Sequence, residues 1–351
     1  MRVLVVGSGA LGGVIAGHLA ASGHEVTLLF RDVETASVVR ERGLLVGDRH
    51  GVIRTEPRVA VGQLDSEDPA FRFVLLATQP TDAEAAMRGV LPWLAKDGRV
   101  VCFQNGLCEE RIARLAGQQR VVGGVVFWGA SVAKRGHVMR TSAGGFALGM
   151  LDGSIDGALL DLRALLSCIG PVKLTTNLRG VRWSKLAINC AMSTFGTIGG
   201  EPVGVLMQRY DARQLGIEVI GEAVRVALAE GVYLERVAGW IDLRWLLVPR
   251  LAAAWSAASL RSHLLVFTGV IPYRRLRSSM LAAIQRGRAP AVDFLNGEVV
   301  ERAERHGIEV PVNRAAQAAV WAIARGELVP STATLHELFR QTRDSLQTAA
   351  T

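Results

Sequence analysis

The stretch VLVVGSGALGGVIAGHLAA, residues 3–21, decides how the rest of the chain is read. Residues 3–6 form an apolar run that predicts a strand, and residues 11–21 are compatible with a helix. Between them Gly7, Gly9 and Gly12 have the spacing G-x-G-x-x-G. One glycine allows the sharp turn, another removes the Cβ that would block a pyrophosphate, and a third lets helix and strand pack closely. Three glycines can also be no more than a tight turn. Here a strand precedes them, a helix comes after, and Gly23 and His24 lead into a second strand, the context a dinucleotide cradle requires. Gly7, Ser8, Gly9, Ala10, Leu11 and Gly12 are therefore the expected cofactor contacts.

Working outward, residues 25–30, 73–77, 99–103 and 120–127 also read as strands, separated by helical segments. That alternation predicts βαβ units and a parallel sheet. Residues 136–140 and 146–149 alternate within glycine-rich text and are expected to close the sheet as hairpin or mixed strands. Residues 169–177, with Gly170 and Pro171, read as the last strand and the crossing into the second half of the chain. Beyond Asn177 long helical patterns dominate. The expected architecture is an α/β Rossmann-type domain over residues 1–175, a mainly α-helical substrate domain over 176–340, and a frayed tail over 341–351.

A length of 351 residues suits two domains, and with half the residues hydrophobic and 21% charged the chain has apolar surface to bury. Part of that surplus is available for a homodimer interface. Cys102, Cys108, Cys168 and Cys190 have neither metal-ligand nor redox spacing and read as reduced packing residues of a cytoplasmic protein. The chain runs from Met1 and Arg2 straight into the first strand, so no targeting segment is expected. The apolar stretches 245–248 and 264–270 are broken by Pro249, Arg250, Arg261 and Pro272 and fall short of the roughly 20 residues that span a bilayer, so they read as buried helices. The net charge of +8 comes from scattered arginines, a pattern that argues against nucleic acid as a partner. A small-molecule carbonyl substrate is the expected partner.

The end of the second strand bears on the cofactor. A carboxylate there serves the ribose hydroxyls of NAD, whereas an arginine suits the 2′-phosphate of NADP. Arg31 comes directly after Phe30 and points to NADPH. An arginine at a loop start can also simply be solvated, and Asp32 next to it would reverse the preference if its carboxylate met the ribose.

A second stretch, Trp183-Ser184-Lys185-Leu186-Ala187-Ile188-Asn189-Cys190, carries the chemistry. On a helix Lys185, Asn189 and Ser193 fall at i, i+4 and i+8, one polar stripe on an otherwise apolar surface. A desolvated lysine loses its proton more readily and suits proton transfer. The other reading is a lysine snorkelling at a domain junction. Asn105 sits after a strand whose carboxyl end faces a ligand crevice, although an Asn-Gly pair also makes plain turns.

With these segments, and with Gln104-Asn105-Gly106, Ser278-Ser279-Met280, Asp293-Phe294-Leu295-Asn296-Gly297, His306-Gly307-Ile308 and Pro311-Val312-Asn313, the chain resembles the ketopantoate reductase family over most of its length. Members reduce 2-dehydropantoate with NADPH. The resemblance implies that Lys185 is the general acid on the 2-oxo oxygen and that Asn105 touches nicotinamide and substrate. It implies that Gln79, in the A-x-Q step after the third predicted strand, meets the cofactor. Asn189 and Ser193 would meet the substrate, and Ser278 or Ser279 its carboxylate, although either serine can instead cap a helix. Asp293 and Asn296 are expected to be structural, Asp293 as a cap of its own helix.

Three positions depart from the family pattern. Leu76 stands where a lysine is usual, Ala291 where a glutamate meets the pantoate hydroxyl, and Ser193 where an asparagine is usual. Losing a buried hydrogen-bond partner weakens recognition of a hydroxylated substrate, so a 2-oxo acid or related carbonyl with a more apolar substituent is expected. Reductive amination or imine reduction on the same scaffold, and a degenerate NADPH-binding sensor or scaffold without turnover, are the alternatives.

Overall fold

The structure, a computed structural model, describes residues 1–65, 68, 70–237, 239–247, 257–270 and 274–348. It divides into two compact units, Met1–Leu178 and Arg179–Thr351.

The first unit contains β1 (Arg2–Val6), α1 (Ala10–Ala21), β2 (Glu25–Phe30), α2 (Val33–Arg42), β3 (Leu44–Asp48), β4 (Gly51–Thr55), β5 (Arg58–Val61) and β6 (Phe71–Leu76). It continues with α3 (Ala83–Val90), β7 (Leu94–Cys102), α4 (Cys108–Ala116), β8 (Val121–Val126), β9 (Ala130–Lys134), β10 (His137–Arg140), β11 (Phe146–Met150), α5 (Gly157–Leu166) and β12 (Val172–Leu174). Eight strands form one sheet in the order β12-β11-β8-β7-β6-β1-β2-β5. Neighbours from β5 through β8 pair in parallel. Counted along the chain, these six strands stand in the order 3-2-1-4-5-6, which is the doubly wound Rossmann arrangement with its reversal between β1 and β6.

The central strands are continuous apolar runs because both faces of the sheet are covered. Val3, Val5, Phe73 and Leu75 join one core with Val14, Ile15 and Leu19 of α1. Their alternates Leu4, Val6, Val74 and Leu76 join a second core with Met87 of α3 and Ile112 of α4.

The glycine-rich region differs from expectation. β11 does close the main sheet, pairing antiparallel with β8. β10 instead belongs to a separate four-stranded sheet, β4-β3-β10-β9, half of which comes from β3 and β4, where the sequence reading expects no strand. The reason lies on α1. A Cβ at Gly17 would fall 2.2 Å from Val46 Cγ2 and one at Gly13 2.8 Å from Val138 Cγ1, so the bare helix face receives β3 and β10.

The second unit carries α6 (Leu178–Gly199), α7 (Val203–Leu206), α8 (Tyr210–Ala229), α9 (Ala257–Val270), α10 (Ser279–Ile284), α11 (Asn296–Arg305), α12 (Pro311–Ala324) and α13 (Thr332–Thr348). Among its described residues the one β contact is an isolated bridge between Val237 and Ile241. Two expectations change here. Leu264 and Phe267 of α9 are exposed, so residues 264–270 are helical but not the buried helix expected, because Ser259 and Ser262 occupy the inner face. Val248, Pro249, Arg250 and Pro272 lie outside the described residues. Residues 341–348 continue α13 instead of fraying, held by buried Thr342 and by Arg343, which reaches Glu218 at 3.0 Å; residues 349–351 lie outside the described residues.

Among the described residues no helix is long and apolar enough to cross a membrane, no group of His, Cys, Asp and Glu could hold a metal ion, and all four cysteines are free thiols.

Candidate active site

Parallel pairing places the carboxyl ends of β2, β1, β6 and β7 on one edge of the sheet, and the register keeps them level, with Val6 opposite both Leu29 and Leu76, and Leu76 opposite Cys102. The loops leaving those ends bring the predicted cofactor residues into a row: Arg31, then Gly7 to Gly12, then Gln79, then Asn105.

The turn at the start of α1 is built for an anion. Gly7 has φ +105°, a conformation costly for residues with a Cβ. A Cβ at Gly12 would lie 1.8 Å from the Gly7 carbonyl oxygen, so only glycine permits this approach. Gly9 precedes the helix with no side chain capping it, and a Cβ there would meet nothing within 4 Å. The first amides of a twelve-residue helix thus open onto free space at its positive end, where a pyrophosphate fits.

Asp32 and Arg31 each have a partner within the fold. Asp32 caps α2: one oxygen accepts from the Glu34 amide at 3.1 Å and the other from the Thr35 hydroxyl. The Thr35 bond, chiefly, holds the Asp32 carboxyl below its ordinary range. The Arg31 side chain is 73% exposed and touches Asp82 at 3.2 Å.

Gln79 is exposed just past β6, while Asn105 is exposed before Gly106, whose φ of +89° turns the chain toward α4. Buried Gln104 ties the two loops together, donating to the Leu76 carbonyl at 3.1 Å and the Thr78 hydroxyl at 3.2 Å. Leu76 is wholly buried in the apolar core, so no cation stands at that position. A groove lined by Arg2, His24, Arg54 and Arg58 lies at the opposite edge, where these arginines already pair with Glu25, Glu56 and Asp68.

In the helical unit α6 is buried on most of its surface. From Lys185 to Ser193 the half-exposed residues are Lys185, Ile188, Asn189, Met192 and Ser193, at i, i+3, i+4, i+7 and i+8. This single stripe contains all three predicted polar groups. Trp183 and Ser184 face inward: the Arg302 guanidinium lies 5.7 Å from the Trp183 ring centre, and the Ser184 hydroxyl donates to the Glu235 carbonyl at 2.7 Å. Burial raises the Cys190 thiol far above its ordinary range, which fits an inert packing residue.

Other motif residues serve architecture. Ser278 is buried, caps α10 by accepting from the Leu281 amide at 3.3 Å, and donates to the Ser193 carbonyl at 2.8 Å, so of its two sequence readings the cap is realised. Ser279 is exposed. Ala291 is half-buried in a 3-10 turn, Ala291–Phe294. Asp293 does not cap its own helix; its Oδ1 accepts from Gln317 Nε2 at 2.7 Å and Trp321 Nε1 at 2.9 Å, pinning α12 instead. Asn296 and Asn313 are completely buried. Asn296 accepts from Thr194 and donates to Cys190 O at 3.2 Å and Asn313 Oδ1 at 3.0 Å. Asn313 donates to Glu222 at 2.8 Å, and Glu222 also accepts from the Val312 and Asn313 amides at the start of α12. Sequence reasoning missed this Glu222 network, although a glutamate inside the apolar run VIGEAV, residues 219–224, was a signal.

A Rossmann sheet with an open glycine turn and a predominantly helical second unit are the architecture of a dinucleotide-binding protein. The family model described as ketopantoate reductase PanE/ApbA matches residues 3–153, and the model of its C-terminal part matches residues 177–324. The chain belongs to the ketopantoate reductase family, whose members are NAD(P)-dependent. The 2-dehydropantoate 2-reductase of Pyrococcus horikoshii is 25% identical over 316 residues, spanning 89% of this chain and 94% of that protein. That of Halobacterium salinarum is 29% identical over 317 residues, spanning 90% and 96%. A crystal structure of a PanE/ApbA family ketopantoate reductase from Ralstonia eutropha JMP134 superposes with a TM-score of 0.76 at 26% identity, covering 93% of this chain and 99% of that one. D-mandelate dehydrogenase, solved with NADH and anilino(oxo)acetate, shares the fold with a TM-score of 0.79 at 20% identity, covering 93% and 99%.

Proposed function

We propose that this chain uses NADPH to reduce a 2-oxo acid, or a related carbonyl compound, to the 2-hydroxy product. The dinucleotide, when bound, supplies the hydride. The amides at the start of α1 hold its pyrophosphate, with Gly7, Ser8, Gly9, Ala10, Leu11 and Gly12 shaping the cradle. Arg31 meets the 2′-phosphate, a role supported by the commitment of Asp32 to capping α2. Gln79 and Asn105 meet the nicotinamide half.

One observation carries the reductase reading: Lys185, Asn189 and Ser193 share the half-exposed stripe of an otherwise buried helix. An ammonium held there hydrogen-bonds the carbonyl oxygen, stabilises the negative charge that develops on it, and transfers a proton to it. Asn189 and Ser193 orient the substrate's polar groups, and Ser279 is the serine left to meet its carboxylate. Ile188 and Met192 share the stripe, Ala291 lacks a carboxylate, and Leu76 supplies no charge, so the substrate's substituent is more apolar than that of ketopantoate.

Steady-state NADPH oxidation across ketopantoate and 2-oxo acids of increasing apolar bulk tests this. The expected outcome is higher kcat/KM on the bulkier apolar acids, unchanged by added ammonium or amines. Equal turnover of ketopantoate counts against the apolar pocket. An amine-dependent rate makes the reaction reductive amination, and cofactor binding without oxidation of any carbonyl makes the chain a sensor.

A further inference from the structure

The row of cofactor residues does not end at Asn105. The next strand along the sheet is β8, parallel to β7, with Cys102 opposite Gly123. Asn105 lies three residues past that level, and Phe127, the first residue after β8, four, so both stand at the same carboxyl edge of the sheet. All six residues of β8 are buried, and Trp128 is buried against Phe146, yet Phe127 between them is 54% exposed. This aromatic ring is presented outward at a ligand-bearing edge.

The backbone that carries it is held in place. The Phe127 amide donates to the Gly145 carbonyl at 3.0 Å, and a Cβ at Gly144, which has φ +149°, would fall 2.2 Å from the Phe127 carbonyl oxygen. The Gly144-Gly145 turn therefore lies directly on the backbone that carries the ring.

Polarity along the edge fixes which end of the ligand it meets. With Arg31 at β2 and the phosphate cradle at β1, the adenosine half occupies the β2 side. The nicotinamide half then runs over β6 and β7, one and two strand spacings away, about 5 and 10 Å. A carbonyl substrate stacked on the nicotinamide has β8 as its next neighbour. We propose that Phe127 is a specificity-determining residue, packing against the substituent on carbon 3 of the substrate and selecting 2-oxo acids with an aryl or bulky branched side chain. This assignment rests on the reductase reading above.

The test combines binding with turnover. Oxamates mimic 2-oxo acids but are not reduced, so their affinity for the NADPH complex, read by calorimetry, does not depend on catalysis. In the wild type N-cyclohexyl oxamate should bind at least tenfold tighter than oxamate itself. Phe127→Ala should abolish most of that preference while NADPH affinity and oxamate affinity change less than threefold, and Phe127→Leu should restore part of it. On 2-oxo acids the same variant should lower kcat/KM at least tenfold for the bulky members and little for pyruvate. Equal losses on small and bulky ligands, no loss, or no size preference in the wild type overturns the assignment. Size-selective binding without any turnover keeps Phe127 as the selector and removes the reductase reading instead.

Discussion

The two units treat their motif residues in opposite ways. In the Rossmann unit the distinctive residues stand outside the core: Gly9, Arg31, Gln79 and Asn105 are all exposed at strand ends. In the helical unit the most distinctive text is largely internal, with Trp183, Asn296 and Asn313 buried and Ser278 spent on a cap. A parallel sheet presents its carboxyl edge to ligands whatever its core contains, so the motif residues there coincide with exposed positions. A helical unit has no such edge and must hold its helices in register with buried polar bonds, so its motifs mix chemistry with scaffolding.

If that contrast is right, substitutions should separate cleanly. The largest effect is expected from Lys185→Ala, which should lower kcat by about 10²-fold or more while leaving NADPH affinity nearly intact. Loss of NADPH binding, or unchanged turnover, would contradict its role. Asn313→Ala comes next and should act on folding alone. It strips Glu222 of one donor and Asn296 of an acceptor, and should cost about 3 kcal/mol in urea unfolding with the kcat of folded protein preserved. A kcat loss without destabilisation would place Asn313 with the chemistry. Arg31→Ala should have the smallest effect, weakening NADPH roughly tenfold through one charge-assisted contact, while NADH affinity, measured by fluorescence titration, stays within about twofold. Equal loss of both cofactors would mean that Arg31 does not read the 2′-phosphate.

Much of the Rossmann unit is legible without the fold. Strand, glycine turn and helix are encoded within a few dozen contiguous residues, and the boundaries of β2 coincide with the run at residues 25–30. The second sheet is not legible in this way, because β3 and β4 are short and gain their place by packing on α1 at Gly17, where a Cβ would meet Val46 and Thr55, a contact no local pattern announces. Asp293 shows the same limit: nearby text suggests a local cap, whereas its partners Gln317 and Trp321 lie more than twenty residues away.

Contiguous residues alone gave the strand, glycine turn and helix at the start of the chain, the helical character of the second half and the stripe through Lys185, Asn189 and Ser193, because periodicity and turn chemistry act over distances the chain itself spans. Tertiary structure alone decided which polar side chains were already taken. Asp32 is committed to α2, Ser278 to α10 and Asn296 to Asn313, while Arg31, paired with Asp82, stays largely exposed and Phe127 is presented at the sheet edge. A side chain's availability depends on what folding brings beside it, and those neighbours come from remote parts of the chain.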